Sequence, residues 1–575
     1  MRAGLLSHPA WCPVVFVLFA AVVWLATRVP GAYLDLFEHG HWLGPASDML
    51  AGKVPYRDTF PVHGFLSDGG LDFLLFRFLG PSYLLSLDAR QLLGALFHPA
   101  LFLVGAAATR RPALAALAVP LNLGMSIAVV ADRPVLPLLS LAAFVWSIGE
   151  ERSRARAFVS GLFAALGLLY ALEYGTFVLA AELATLGACR LFSPKPAVCP
   201  VRGVSFLLGL GIVFVPWFAY LAASGALVPF LRVSFVDLPI RIHAIWGIQF
   251  PAPWELLGEW LKGRKYVVEG IAIGPAIAKR FYLDPILGVS GLALAIWLGR
   301  RRGSPVLALR LLVLSLACLF FFRAVIARFH LSSGNALAGP VTLVTLLALF
   351  ELLRGSSIRL GWRWAAGMFA AGTLAAFAMN GPGRLFAVFR EAASYARRME
   401  PLPWTVPLTV ARGGGVRVPS DQERTLRALL ELTSERVPQG TQIFDLSNRP
   451  ALYFFSKRMN PTRFYQAPMM APFEDEILRD LGARPPALVF LTSGTWLDAI
   501  DGIPNSRRIP RMEMGRRELP RSRESRRHAR RAPGGERERR QSAGRASAAA
   551  RVRSSTSRSI SAMNSSSMLG PPIRR

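Results

Sequence analysis

Eleven apolar runs, most of them close to the length of a bilayer-crossing helix, constrain this chain more than any other feature. They occupy residues 11–29, 64–80, 84–108, 112–131, 134–149, 157–187, 203–223, 283–299, 305–327, 335–353 and 361–379. A helix crossing the roughly 30 Å hydrocarbon layer needs about 20 mostly apolar residues, because each residue rises about 1.5 Å. With 575 residues, 53% of them hydrophobic, and a mean hydropathy of +0.37, the chain is predicted to be an all-α polytopic membrane bundle. The first run has no A-x-A-like cleavage site behind it and is read as a retained helix.

The net charge of +30 invites a nucleic-acid reading, but its distribution argues against one. Residues 515–575 hold seventeen Arg against four Glu. Their Arg, Ser, Ala and Gly composition shows almost no apolar periodicity, so this tail is predicted to be disordered. The remaining excess is ordinary for a membrane protein with basic loops, and no nucleic-acid partner is expected. The four cysteines, Cys12, Cys189, Cys199 and Cys318, lie in or beside apolar runs and imply no disulfide framework. No phosphate-binding GxxxxGK[ST], no GxSxG and no paired CxxC is present.

Lys and Arg in short loops tend to stay cytoplasmic. With the N-terminus inside, the loops carrying Arg190, Lys195 and Arg202, then Arg300 to Arg302, then Arg354, Arg359 and Arg363 all fall inside. Arg110 with Arg111, and Arg152 with Arg154 and Arg156, fall outside: they are tolerated there, or one short span is miscounted. This reading puts residues 30–63, residues 224–282 and everything after 379 on the outer side. The membrane part is 1–379. Residues 380–514 alternate helix-like stretches, 420–436 and 473–481, with short apolar runs, 441–446 and 487–491, that read as buried strands. A small extracytoplasmic α/β domain is predicted there.

The first outer loop concentrates ionisable groups. Its opening, Tyr33-Leu-Asp-Leu-Phe-Glu-His-Gly-His-Trp42, is followed by Gly52-Lys-Val-Pro-Tyr-Arg-Asp58 and Pro61-Val-His-Gly64. Three of the chain's eight histidines, His39, His41 and His63, stand here with Asp35, Glu38, Asp48 and Asp58. A carboxylate at the mouth of a membrane cavity can hold a pKa suited to taking a proton from an attacking hydroxyl, a role open to Glu38 or Asp35. Lys53, Arg57, Arg328 and His330 could stabilise a departing phosphate by charge-assisted hydrogen bonds. The competing reading is a solvated loop whose charges pair with one another. Inside the bundle Glu173 is singled out, since a charge at mid-membrane costs about 2.5 to 3.5 kcal/mol and so faces a cavity or a partner. Asp68 and Asp72 share a face if the second run is one helix.

The residues Glu38-His-Gly40, 46–58, His63-Gly64 and Phe78-Leu-Gly-Pro-Ser82 resemble the polyprenyl-phosphate-sugar-dependent membrane glycosyltransferases of the GT-C fold, which include protein O-mannosyltransferase and aminoarabinose transferase relatives. Glu173-Tyr-Gly175, Arg328-Phe-His330 and the segment from Asp445 to Tyr465 are weaker matches, and the likeness extends over about residues 11–514. In the family an Asp-Glu pair usually supplies the acid; here Glu38-His39 stands at that place. The resemblance implies a one-step inverting transfer in which Glu38 or Asp35 deprotonates an acceptor that attacks the sugar as the polyprenyl phosphate leaves. It implies a polyprenyl-phosphate sugar donor, membrane lipids, and a lipid, glycan or protein acceptor, with Asp58 and Glu173 in the cavity. It leaves a divalent metal open, with His39, His41 or His63 able to ligate through imidazole nitrogen. It also implies an inner or plasma membrane protein with its C-terminal domain outside. The alternatives are a secondary transporter, against which no internal repeat is visible, and a GT-C-like membrane protein without turnover.

Overall fold

The computed structural model of the protein describes residues 11–27, 34–116, 118–119, 131–149, 154–192, 198–242, 252–262, 266–268, 271–273, 275–300, 305–327 and 404–491, with 497, 500, 504, 505, 509 and 511. The runs 335–353 and 361–379, Arg328, His330 and the tail 515–575 lie outside the described residues.

The membrane part contains α1 (Trp11–Thr27), α2 (Gly40–Leu50), α3 (Leu71–Leu79), α4 (Tyr83–Ala95), α5 (Phe97–Thr109), α6 (Val135–Ser147), α7 (Arg154–Tyr170), α8 (Leu172–Phe192), α9 (Val198–Ala223), α10 (Leu227–Arg232), α11 (Pro275–Arg300) and α12 (Pro305–Ala327). Among the described residues three helical stretches are long and apolar enough to cross a bilayer: Tyr83–Thr109, which joins α4 to α5, Arg202–Ala223 and Pro305–Arg323. Their shared core includes Phe97, Leu101, Leu138, Phe144, Val178, Phe206 and Phe321, all buried. Before α11 the strands β1 (Tyr266–Val268) and β2 (Ile271–Ile273) form an antiparallel pair.

Two expected spans are corrected. Residues 64–80 do not form one helix: a π-helical turn, Leu66–Gly70, breaks before α3. Asp68 (φ −98°, ψ 48°) and Gly69 (φ 106°) leave helical geometry there. A side chain at Gly69 would collide with the backbone of Trp42 and Ala46, so glycine answers both a left-handed φ and a close approach. The nine residues of α3 reach only about 14 Å, too short to cross. Asp68 and Asp72 therefore share no helix face.

The run 157–187 is two antiparallel helices, α7 and α8, turned at Ala171. Positions equally far from the turn meet: the Ser160 hydroxyl lies 3.3 Å from Glu182 Oε1, and Ser140 of α6 lies 2.8 Å from the same oxygen. Cys189, near the end of α8, is disulfide-bonded, where the sequence implied no disulfide framework, and Cys318 is buried.

The C-terminal part contains β3 (Thr405–Pro407), β4 (Arg417–Pro419), α13 (Ser420–Arg436), β5 (Ile443–Leu446), α14 (Ala451–Ser456), α15 (Glu474–Ala483) and β6 (Leu488–Leu491). β3 and β4 are antiparallel, while β5 and β6 are parallel with Ile443 opposite Leu488. A parallel pair needs a crossover, which α14 and α15 supply. This part does not close its own core. Leu408, Val418, Leu426, Ile443 and Tyr453 pack in one buried cluster with Leu34, Leu43, Phe76 and Tyr83 of the first loop and its borders.

That loop is tied to the bundle by Arg90 of α4. Its guanidinium lies 2.5 Å from Asp72 Oδ2, donates to the Ser67 carbonyl at 2.7 Å, and stacks 4.0 Å from the centre of the Trp42 ring. Ser86 donates to the other Asp72 oxygen at 2.5 Å, and Arg90 also lies 3.7 Å from Asp132. Both Asp72 and Arg90 are buried. Removing one partner of such a pair leaves a bare charge, at about 3 to 5 kcal/mol. Arg90→Met is expected to lower the unfolding midpoint in detergent sharply, and Asp72→Asn added to it to recover part of the loss; equal and additive losses would contradict the pairing.

Candidate functional site

The first loop folds from its own polar side chains. Asp35 Oδ1 accepts the backbone N–H groups of Phe37 and Glu38, each at 2.9 Å, closing a turn that leads into α2. Burial pushes the Asp35 carboxyl above its ordinary range, against the pull of those two donors. From Gly40 to Met49 most of α2 is buried, because the C-terminal part lies on it. A side chain at Gly40 would overlap the Pro450 ring and the Ala451 nitrogen. Nearby, Ala451 N–H donates to the Leu36 carbonyl at 3.2 Å. Asp48, buried at the end of α2, accepts from Lys53 at 2.7 Å and from the Tyr465 hydroxyl at 2.8 Å. Burial raises its pKa while Lys53 opposes the rise.

Where these surfaces meet, a small cavity is lined by His41, Phe60 and Asp68 of the loop and by Tyr465, Gln466 and Met469 of the C-terminal part. Asp68 is fixed on both oxygens: Oδ2 accepts from the N–H groups of Val62 (2.5 Å) and His63 (2.8 Å), and Oδ1 lies 3.0 Å from His63 Nδ1. Burial works against the Asp68 charge, yet His63, with His41 and Arg133, holds the carboxyl well below the usual range. The His41 and His63 rings are 5.4 Å apart, edge to face. The His63 carbonyl accepts from Leu172 at 2.5 Å, which seats the cavity on the α7–α8 turn. Glu173 follows on the first turn of α8, within electrostatic range of Arg323 and Arg133.

The structure brings together only some of the residues singled out by sequence. His41 lines the cavity and His63 holds its Asp68 wall, while Glu173 is exposed. Glu38 is exposed. His39 turns away from the other two histidines, as i and i+2 must at the start of a helix. Its Nδ1 accepts from the Asp35 N–H at 3.4 Å, so the Tyr83 hydroxyl, 2.6 Å away, donates to the same nitrogen. His39 therefore stands apart from the His41–His63 pair. Among the described residues no three His, Cys, Asp or Glu side chains are grouped to hold one.

Two residues expected to hold phosphate have partners within the fold. Lys53 is spent on Asp48 and on the Asn460 carbonyl at 2.6 Å. Arg57 pairs with Asp58 at 2.8 Å and donates to the Ser224 carbonyl at 2.9 Å, which also removes Asp58 from the cavity wall. Sequence reasoning missed Arg90, Arg133, Arg323 and Gln466. A signal existed for one of them: Asp132-Arg133 are two charges wedged between two apolar runs.

No known family profile matches the sequence, and no curated protein matches it. Among solved structures, the fold is similar to the archaeal oligosaccharyltransferase AglB from Archaeoglobus fulgidus in complex with an inhibitory peptide and a dolichol-phosphate. Identity there is 11% and the TM-score 0.43, over 78% of this chain and 64% of that one. The apo form of the Archaeoglobus fulgidus oligosaccharyltransferase gives 11% identity and a TM-score of 0.39, over 79% of this chain and 64% of that one. ArnT from Cupriavidus metallidurans bound to undecaprenyl phosphate gives 12% and 0.42, over 84% of this chain and 90% of that one. The chain thus spans less than two thirds of the two oligosaccharyltransferase chains.

The His39 environment sets a pH dependence. Burial, together with the Arg90 charge, brings its pKa down from 6.5 to about 3. The unfolded chain takes up a proton as pH falls through 6.5 and the folded one does not. Stability is therefore complete above 6.5 and lost on acidification, by up to about 1.4 kcal/mol per pH unit. The unfolding midpoint of the wild type is expected to fall between pH 7 and pH 5 more steeply than that of His39→Gln; parallel slopes would rule this out.

Proposed function

We propose that the protein is an integral membrane glycosyltransferase that moves a sugar from a polyprenyl-phosphate donor to an envelope acceptor, with inversion, at the outer face of the membrane. The observation that supports this reading is the Asp68-held His63 beside His41, with Arg133 within electrostatic range of Asp68. A lipid-linked phosphate donor needs apolar helices for its tail, cations for its phosphate, and a base beside both. The resemblance of the first loop to GT-C transferases supplies the sugar.

In this reading Asp68 orients the imidazole and directs Nε2 away from the carboxylate, the geometry of a general base. His63 takes the acceptor's hydroxyl proton, and the acceptor oxygen bonds to the anomeric carbon. The bond to the phosphate oxygen breaks with its electron pair, and Arg133 and Arg323 receive the charge in place of Lys53 and Arg57. Gln466 and Met469 bring the C-terminal part to the same cavity, where they would meet the acceptor.

The corrected helices also support the orientation. Losing the span 64–80 and dividing 157–187 keeps the count at eleven when the apolar runs beyond the described residues are included. All five basic loops, at Arg110–Arg111, Arg152–Arg156, Arg190–Arg202, Arg300–Arg302 and Arg354–Arg363, then fall on the side of the N-terminus. The Cys189 disulfide pulls the other way, since disulfides persist in oxidising compartments; five loops outweigh it. Cysteines introduced at Ser434 and Arg111 test this: an impermeant maleimide is expected to label Ser434→Cys in intact cells and Arg111→Cys only after permeabilisation. The reverse pattern sinks the outer-face reading.

For the chemistry, His63→Gln is expected to lower transfer at least about a hundredfold with donor binding retained, and Glu38→Gln less than about tenfold. If Glu38→Gln alone abolishes transfer, the base is the one implied by the family likeness. A transporter or a bundle without turnover would be indifferent to both.

A further inference from the structure

The bilayer-crossing stretch Arg202–Ala223 ends in a tight turn. Gly225 takes a left-handed φ of 70°, and the Ala226 N–H donates back to the Leu221 carbonyl at 2.7 Å, so the chain folds over the end of α9. A second helical segment follows directly: α10, Leu227–Arg232, runs into a π-helical stretch, Val233–Ile242. Two faces persist through that change. Phe230, Val233, Asp237 and Ile242 are buried, at spacings of three, four and five residues, and Val228, Leu231, Phe235 and Ile240 are exposed at the same spacings. The widening keeps each stripe on one side as the α-helical turn gives way to the wider π turn. Phe230, Val233 and Ile242 pack with Tyr56 and Phe60 of the first loop and with Phe464 and Phe473 of the C-terminal part. Over the other stripe there is no cover: Val228 is 74% exposed, Phe235 66% and Ile240 64%.

Two arginines border the exposed stripe, each one residue beyond a member of it, at Leu231-Arg232 and Ile240-Arg241. Between them stands Asp237, fully buried, with no hydrogen bond on either oxygen. Arg232 Nε lies 3.5 Å from its Oδ2 and Arg241 Nε 3.5 Å from its Oδ1. One carboxylate thus positions two half-exposed guanidiniums, and among the described residues neither guanidinium donates a hydrogen bond. The lipid-facing wall of α9 leads up to this place, with Leu208, Ile212 and Val215 all exposed. Three residues separate α9 from α10, about 14 Å of chain if extended, and the turn folds that length back. The stripe therefore stays near headgroup level, where an interfacial helix sinks its apolar face by about 5 to 10 Å. We propose that Leu227–Ile242 lies flat on the leaflet at the first-loop side, with Val228, Leu231, Phe235 and Ile240 in the acyl boundary and Arg232 and Arg241 on lipid phosphates. Guanidiniums flanking an apolar stripe are placed to donate charge-assisted hydrogen bonds to headgroup oxygens. Continuity with the wall of α9 favours a bilayer over a protein partner. Phe60, held by the buried face, also lines the His41 cavity, so this seat sets the height of the cavity above the bilayer.

The test uses the full-length protein in vesicles of phosphatidylethanolamine and phosphatidylglycerol, with a nitroxide on one introduced cysteine at a time and the signal of the unsubstituted protein subtracted. Labels at Phe235→Cys and Val228→Cys are expected to collide more with oxygen, which partitions into lipid, than with a nickel chelate, which stays in water. Ile212→Cys on the exposed wall of α9 gives the bilayer reference, and Ser434→Cys the aqueous one. Adding Arg232→Gln and Arg241→Gln is expected to shift the Phe235→Cys label toward the aqueous reference. Nickel access equal to that of Ser434→Cys, while Ile212→Cys still reads as lipid, overturns the proposal. Shielding from both reagents overturns it too, since it would mark a protein partner. An unchanged Phe235→Cys reading without the two arginines overturns the phosphate contacts. Either stripe position replaces the other should one variant fail to fold.

Discussion

The buried pair of Asp72 and Arg90 is the contact on which the architecture around the cavity depends. Arg90 belongs to α4 and Asp72 to the first turn of α3, so their bond at 2.5 Å joins two helices that the sequence separates by a turn. The other groups at this point serve the same join: Ser86 completes the acceptors of Asp72, Trp42 covers the guanidinium, and the Ser67 carbonyl brings in the π-helical turn. Two charges taken out of water must find each other, which makes the arrangement costly to break and narrow in geometry. Asp68 follows from it, because the turn that Arg90 holds carries that carboxylate into the cavity.

The cavity has three contributors, each needing the others. The loop supplies His41, His63 and Asp68; the α7–α8 turn supports it through the His63 carbonyl; the C-terminal part covers it with Tyr465, Gln466 and Met469. The last is held by groups outside the cavity, chiefly Asp48 with Lys53 and Tyr465 and the approach of Gly40 to Pro450. Lys53, singled out by sequence as a ligand, is one of these fastenings. The half-buried Lys53 offsets the charge of the buried Asp48.

Much of this was legible in the amino-acid sequence. Apolar runs of near-twenty residues announce membrane helices because nothing in hydrocarbon can satisfy an open backbone. The helix at Ser420–Arg436 and strands at Ile443–Leu446 and Leu488–Leu491 followed from local periodicity, and the first loop stood out by its density of ionisable groups. The errors share a cause. Composition over a window cannot detect a break inside it, so Asp68-Gly69 hid in one apolar run and Ala171 in another.

Hydropathy, periodicity and charge content are properties of neighbours along the chain, and through them the sequence by itself determined the helical membrane class, the strands and helices of the C-terminal part and the loop where ionisable groups concentrate. Partnership is a property of neighbours in space. Only the tertiary structure decided that Asp68 serves His63, that Arg90 serves Asp72, and that Lys53 and Arg57 serve the fold, since those pairs depend on backbone breaks and burial that no local pattern encodes.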